Sequence, residues 1–138
     1  MKFECTACGL AIQVPDTDQA STFLCGHCGG QVQAPVDDTA PGCIVDDDFV
    51  IAGPPVADAL FPANQYSLGQ AVWIYMLPGD PDKTAITEFI AVARDRANNR
   101  NWQPRPIAAG RCKAGYYHVY ERSEVNPDAQ IAAITGTI

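Results

Sequence analysis

Apolar residues follow a period of two near the start of the chain and a period near 3.6 later on. Leu10, Ile12 and Val14 alternate with Ala11 and Gln13, which predicts a short strand. Thr22-Phe23-Leu24 and Gln31–Ala34 read the same way, and Asp16-Thr17-Asp18 after Pro15 reads as a turn. Residues 36–65 carry Pro41, Pro54, Pro55 and Pro62 among five aspartates, Asp37, Asp38, Asp46, Asp47 and Asp48. That composition predicts an acidic, proline-rich linker, open to proteolysis. The alternative is an ordered strand over Phe49–Ala52 that joins the second domain.

Beyond residue 66 the pattern predicts a compact α+β unit. Ala71–Leu77 is an almost continuous apolar run rich in branched and aromatic side chains, and it stops at Pro78-Gly79, so it predicts a buried strand. A helix follows, with Asp80 as cap, Pro81 at its first position and Asp82 complementing the dipole. Its stripe is Ile86, Phe89, Ile90, Ala93 and Ala97, and it ends near Asn98-Asn99. Cys112–Glu121 alternates as a second, half-exposed strand. Asn126-Pro127-Asp128 and Gly136 bound a short C-terminal helix over 127–135, with an edge strand over 131–138 as the alternative.

Cysteine spacing changes the picture for residues 1–35. Two CxxC pairs, Cys5/Cys8 and Cys25/Cys28, lie inside a segment that repeats at an offset of 20 residues: Cys5, Cys8, Gly9, Gln13 and Pro15 match Cys25, Cys28, Gly29, Gln33 and Pro35. Two short loops presenting four thiolates suit a closed tetrahedral Zn²⁺ site. The glycine after each pair lets the chain turn with positive φ while backbone N–H groups aim at sulfur. The expected organisation is α+β: a small zinc ribbon with an all-cysteine site at 1–35, a linker at 36–65 and an α+β domain at 66–138.

Cys25-Gly26-His27-Cys28 also has the form of a disulfide-exchange centre. Such a centre needs a helix starting at the motif, and Gly29-Gly30 followed by Gln31–Pro35 is a poor helix. Residues 3–35 resemble the short N-terminal zinc ribbons of many bacterial proteins, Cys-x-x-Cys-Gly, Val-Pro, Cys-x-x-Cys-Gly, Pro. The resemblance implies Cys5, Cys8, Cys25 and Cys28 as ligands of one structural Zn²⁺. It departs from the pattern where proline usually follows the first cysteine of each pair, here Thr6 and Gly26. The loop 15–24 also lacks the usual lysines and arginines. Residues 66–138 carry no motif that assigns a family. Cys43 is expected as an exposed linker thiol and Cys112 as a packing residue. Cys112 and His118 lie about 20 Å apart along one strand, too far for a nucleophile–base pair.

Charge narrows the function. The chain carries a net −7, yet six of its nine basic residues fall between 94 and 113: Arg94, Arg96, Arg100, Arg105, Arg111 and Lys113, around Trp102. Arginine beside an exposed aromatic suits phosphate contact and base stacking. The bland alternative is a solvated helix end with Trp102 covering the core, and a third is masking of the stretch by the aspartates. No apolar run approaches the roughly 20 residues that span a bilayer, and the N-terminus lacks a signal-peptide pattern. The expected setting is the reducing cytoplasm. No paired carboxylates, phosphate loop or nucleophile–base pattern points to an enzyme. The expected function is a protein-binding regulatory adaptor with structural zinc, and no membrane partner. The alternative is nucleic-acid binding through 94–113.

Overall fold

The computed structural model describes residues 2–13, 22–33, 39–77, 80–112 and 115–136. The predicted turns at Asp16-Thr17-Asp18 and Pro78-Gly79 lie outside these, as do Asp37, Asp38 and Lys113. The fold is α+β, mostly sheet. The N-terminal repeat forms two hairpins at the expected 20-residue offset: β1 (Lys2–Glu4) with β2 (Ala11–Gln13), and β3 (Thr22–Leu24) with β4 (Gln31–Gln33). A small core of Phe3, Cys5, Cys25 and Val32 lies between them.

The remaining elements are β5 (Ile44–Val45), β6 (Phe49–Ile51), β7 (Leu60–Gln65), β8 (Gln70–Met76), α1 (Lys83–Asn98), β9 (Pro106–Cys112), β10 (Gly115–Glu121) and α2 (Pro127–Thr135). Their six strands form one sheet in the order β5-β6-β7-β8-β10-β9. The strands β5 to β8 run as an antiparallel meander. β8 and β9 are both antiparallel to β10, hence parallel to each other, with α1 as the crossover.

The expected linker is therefore corrected over 44–65, which supplies three strands of this sheet. Its acidic run is a hairpin turn. Asp46 and Asp47 take left-handed backbone at φ 51° and 64°, a conformation aspartate tolerates. Asp48 then accepts from Gln65 Nε2 at 2.9 Å and from the Ser67 amide at 2.9 Å, tying this turn to the next one. Composition alone cannot separate turn residues between short strands from turn residues in a tether. The alternative of a strand near Phe49–Ala52 matches β6.

Three other readings need correction. The cap of α1 is Asp82, whose side chain accepts from the Ala85 amide at 2.8 Å, rather than Asp80. The stretch Cys112–Glu121 is the end of β9 plus β10, because Cys112 pairs across a hairpin with Gly115. Cys43 is buried: it forms an antiparallel bridge with Phe3, so β1 covers the β5 edge of the sheet. Around that bridge the Glu4 amide donates to Gly42 O at 2.9 Å, Tyr66 Oη donates to Glu4 at 2.6 Å, and Lys2 pairs with Asp47 at 2.8 Å. The C-terminal helix matches its expected span, closed by Gly136 at φ 72°.

Both faces of the sheet are used. On one, Phe49, Ile51, Phe61, Ala63, Val72, Ile74, Met76, Tyr117 and Val119 form a core on which no helix packs among the described residues. Phe49 and Tyr117 meet at a centroid distance of 6.4 Å. Their strands stand three places apart in the sheet, about 14 Å if it were flat. The sheet must curl on itself, and Tyr117 Oη donates to Asp46 across the gap. On the outer face, α2 packs Ile134 and Ile131 on Leu60, Trp73 and Tyr120. Gln130 completes that contact by accepting from Trp73 Nε1 at 2.9 Å. α1 sets Phe89 on His118, with ring centroids 3.8 Å apart.

Candidate metal centre

The two knuckles are near copies of each other. The Cys5 amide donates to Leu10 O and the Gly9 amide to Cys5 O; the Cys25 amide donates to Gly30 O and the Gly29 amide to Cys25 O, all at 2.8 to 2.9 Å. Gly9 and Gly29 adopt φ of 77° and 72°, which explains glycine after each pair. Each turn aims amides at sulfur: Ala7 N lies 3.4 Å from Cys5 Sγ, His27 N 3.4 Å from Cys25 Sγ, and Gly30 N 3.4 Å from Cys28 Sγ.

All four sulfurs lie within 4.8 Å of one another, so they are positioned to hold a metal ion. Cys5 and Cys28 are 3.8 Å apart, and Cys8 and Cys25 3.7 Å. A tetrahedron with metal–sulfur arms of about 2.3 Å has edges of about 3.8 Å. A disulfide would need about 2.05 Å. The electrostatics are uneven. The Cys28 and His27 backbone N–H groups lower the Cys25 thiol to about 6, and the Cys8 N–H followed by the Ala7 N–H lowers Cys5. At Cys8 the Leu10 N–H lowers the thiol, but burial and the three neighbouring sulfurs outweigh it and raise it to about 12. The thiolate is the ligand form, so a divalent cation is what would let all four ionise together. His27 is exposed and is not among the clustered donors.

The basic stretch is less available than its sequence implies. Arg96 Nη1 donates to Tyr120 Oη at 2.9 Å and to Ile134 O at 3.0 Å, and Nη2 donates to Ala133 O at 3.3 Å. Its guanidinium also covers the Trp102 ring at 4.5 Å, and that ring meets Tyr120 at 5.3 Å. Trp102 is therefore half-buried, in line with the core-covering alternative, whereas Arg96 is half-buried and hydrogen-bonded rather than part of a solvated helix end. Arg105 sits 3.7 Å from Glu121, with both side chains more than half exposed. Arg94, Arg100 and Arg111 are exposed. Helical period would have separated Arg96 from the others, because seven residues after Phe89 is the same face of α1. The aspartate masking alternative is weakened as well, since Asp46 and Asp48 are engaged by Tyr117 and by Gln65 with Ser67.

The sequence assigns His118 no role beyond the rejected pairing with Cys112, and the structure places it in the core between α1 and the sheet. Its Nε2 lies 2.9 Å from Phe89 O, an acceptor only, so Nε2 carries the proton. Nδ1, 2.7 Å from Tyr120 Oη, then accepts, and Tyr120 in turn accepts from Arg96. Burial holds His118 neutral, lowering it from 6.5 to about 4. The unfolded chain binds a proton near 6.5 and the folded chain only near 4, so stability falls as pH drops through that window. Urea midpoints at both ends of the window should show this. In His118→Gln the pH-dependent part of the fall should shrink, and an unchanged slope would contradict the assignment.

No helix among the described residues is long and apolar enough to cross a membrane. Comparison with protein-family models, with curated proteins and with solved structures finds no match to this chain.

Proposed function

We propose that this chain is a protein-binding regulatory adaptor whose ribbon is held by one structural Zn²⁺, with Cys5, Cys8, Cys25 and Cys28 as ligands. The observation that supports the zinc in this reading is the cluster of four sulfurs, whose spacings of 3.8 Å for Cys5–Cys28 and 3.7 Å for Cys8–Cys25 suit zinc–thiolate geometry. Four thiolates close the coordination sphere and leave no position for substrate water, so the metal supports folding rather than hydrolysis. The ribbon's contacts through β1 give that support a destination, because they carry it to the sheet edge. A reducing compartment, where paired cysteines hold metal, agrees with this chemistry. Nucleic-acid binding through 94–113 is the weaker reading, since Arg96 and Trp102 are committed within the fold.

Elemental analysis of protein purified without added metal should find one zinc per chain. Metal-free protein carrying two disulfides would refute the site. Labelled RNA and DNA oligonucleotides should not bind at physiological salt, given the net −7 charge. Submicromolar, salt-sensitive binding of either would overturn the adaptor reading.

A further inference from the structure

The two edges of the sheet are treated differently. β1 covers β5, whereas β9 has no strand on its outer side among the described residues. An uncovered edge presents a row of backbone donors and acceptors and is usually blunted by charges, proline, a bulge or extreme shortness, and β9 has a proline and a register shift only at its start, at Pro106 opposite Tyr120. β9 is seven residues long, and between Pro106 and Arg111 it carries only Ile107, Ala108, Ala109 and Gly110.

Beside this strand runs an open trough of about 520 Å³, bounded by α1 on one side and by β9 and β10 on the other. Its origin is in the sequence. Ala93 and Ala97 on the helix oppose Ala109 on the strand, so neither wall fills the space between them. Four of the five stripe residues of α1 line it: Phe89 is also buried against His118, but Ile90 is 41% exposed. The lining runs along β9 from Pro106 to Arg111. Its charged side chains are Arg94 from the helix and Arg111 from the strand, with no carboxylate among them. A local pair of cations in a chain of net −7 favours an acidic occupant.

We propose that an extended peptide adds to the free edge of β9 with one set of alternate residues turned towards α1, its apolar side chains on that face packing beneath the helix and its carboxylates on the same face meeting Arg94 and Arg111. The proposal rests on the adaptor reading and names the site and partner chemistry for it. Strand addition supplies affinity through main-chain hydrogen bonds, and alternate side chains supply selectivity. A small amphipathic carboxylate would match the trough and the arginines but leave the strand edge unpaired, which is why a peptide is the better occupant.

The test is selection of a random displayed-peptide library on the zinc-loaded full chain, followed by NMR titration with the best synthetic peptide. Enriched sequences should carry apolar and acidic residues together on one set of alternate positions. Shifted amides should lie in β9 and α1. Ala109→Phe, which fills the trough, and the double variant Arg94→Glu/Arg111→Glu should each lower affinity about tenfold or more, with spectra otherwise intact. Enrichment of basic or helical sequences would overturn the proposal, as would selection of no peptide, or decanoate binding the trough where peptides do not. Shifts confined to the ribbon would remove the β9 site yet leave the adaptor reading standing. Failure of that reading has its own signature, tight oligonucleotide binding.

Discussion

Cys25→Ser, or stripping the metal with a chelator, is expected to unfold the two ribbon hairpins, 2–13 and 22–33, together. The ribbon's buried core is Phe3, Cys5, Cys25 and Val32, far too little to hold two hairpins against chain entropy. Structural zinc in comparable peptides contributes an apparent ~10–16 kcal/mol, and that is the folding energy at stake. The loss should not stop at the ribbon. Phe3 is 2% exposed and bridges to Cys43, so its release uncovers the β5 edge. Removing a buried phenylalanine costs about 3–5 kcal/mol in other cores. The curled sheet should therefore survive with a lower unfolding midpoint. Alkylation followed by mass spectrometry reads both effects, because Cys43 is 1% exposed in the intact fold. A variant whose ribbon amides lose dispersion while Cys43 gains reactivity fits this account. Continued protection of Cys43 would show that β1 stays docked without metal.

The second large effect is expected at Arg96. Arg96→Met keeps the length of the stem but removes the hydrogen bonds to Tyr120, Ala133 and Ile134. Those carbonyls close the last turn of α2, where helix groups otherwise lack partners and where a cation complements the dipole. Stripping donors from several part-buried acceptors should cost roughly 2–4 kcal/mol. Arg100→Met, at an exposed position beyond the helix, should stay within about 0.5 kcal/mol of the parent. Urea unfolding of the two variants side by side makes the comparison. Equal stabilities would mean that Arg96 is as dispensable as a surface charge, against the account given above.

The contrast between these two arginines shows where sequence reasoning reached and where it stopped. As members of one basic stretch they look alike, and the stretch reads as a single surface. Period within α1 already places Arg96 on the face of Phe89, while Arg100 lies beyond the end of the helix. What period cannot supply is the partner, because Tyr120, Ala133 and Ile134 come from elements 24 to 38 residues away. His118 is similar. Its place in the alternation with Tyr117 and Val119 is legible, but its neutral tautomer follows from a carbonyl on another element.

What the sequence determined by itself is local. The two hairpins, their sulfur cluster and the glycines that turn them follow from a 20-residue repeat whose spacing matches metal geometry. β8, α1 and α2 follow from periodicity and from terminal residues, to within a cap. The tertiary structure decided the rest. Asp46-Asp47-Asp48 became a hairpin turn because Phe49, Ile51, Phe61 and Ala63 find a core only when their strands curl against Tyr117 and Val119. Composition shows turn residues but not whether the short strands around them have partners. The docking of the ribbon on β5 and the open edge at β9 are likewise long-range outcomes. They depend on which strand ends up at each margin of the sheet, and no window of the sequence contains both neighbours.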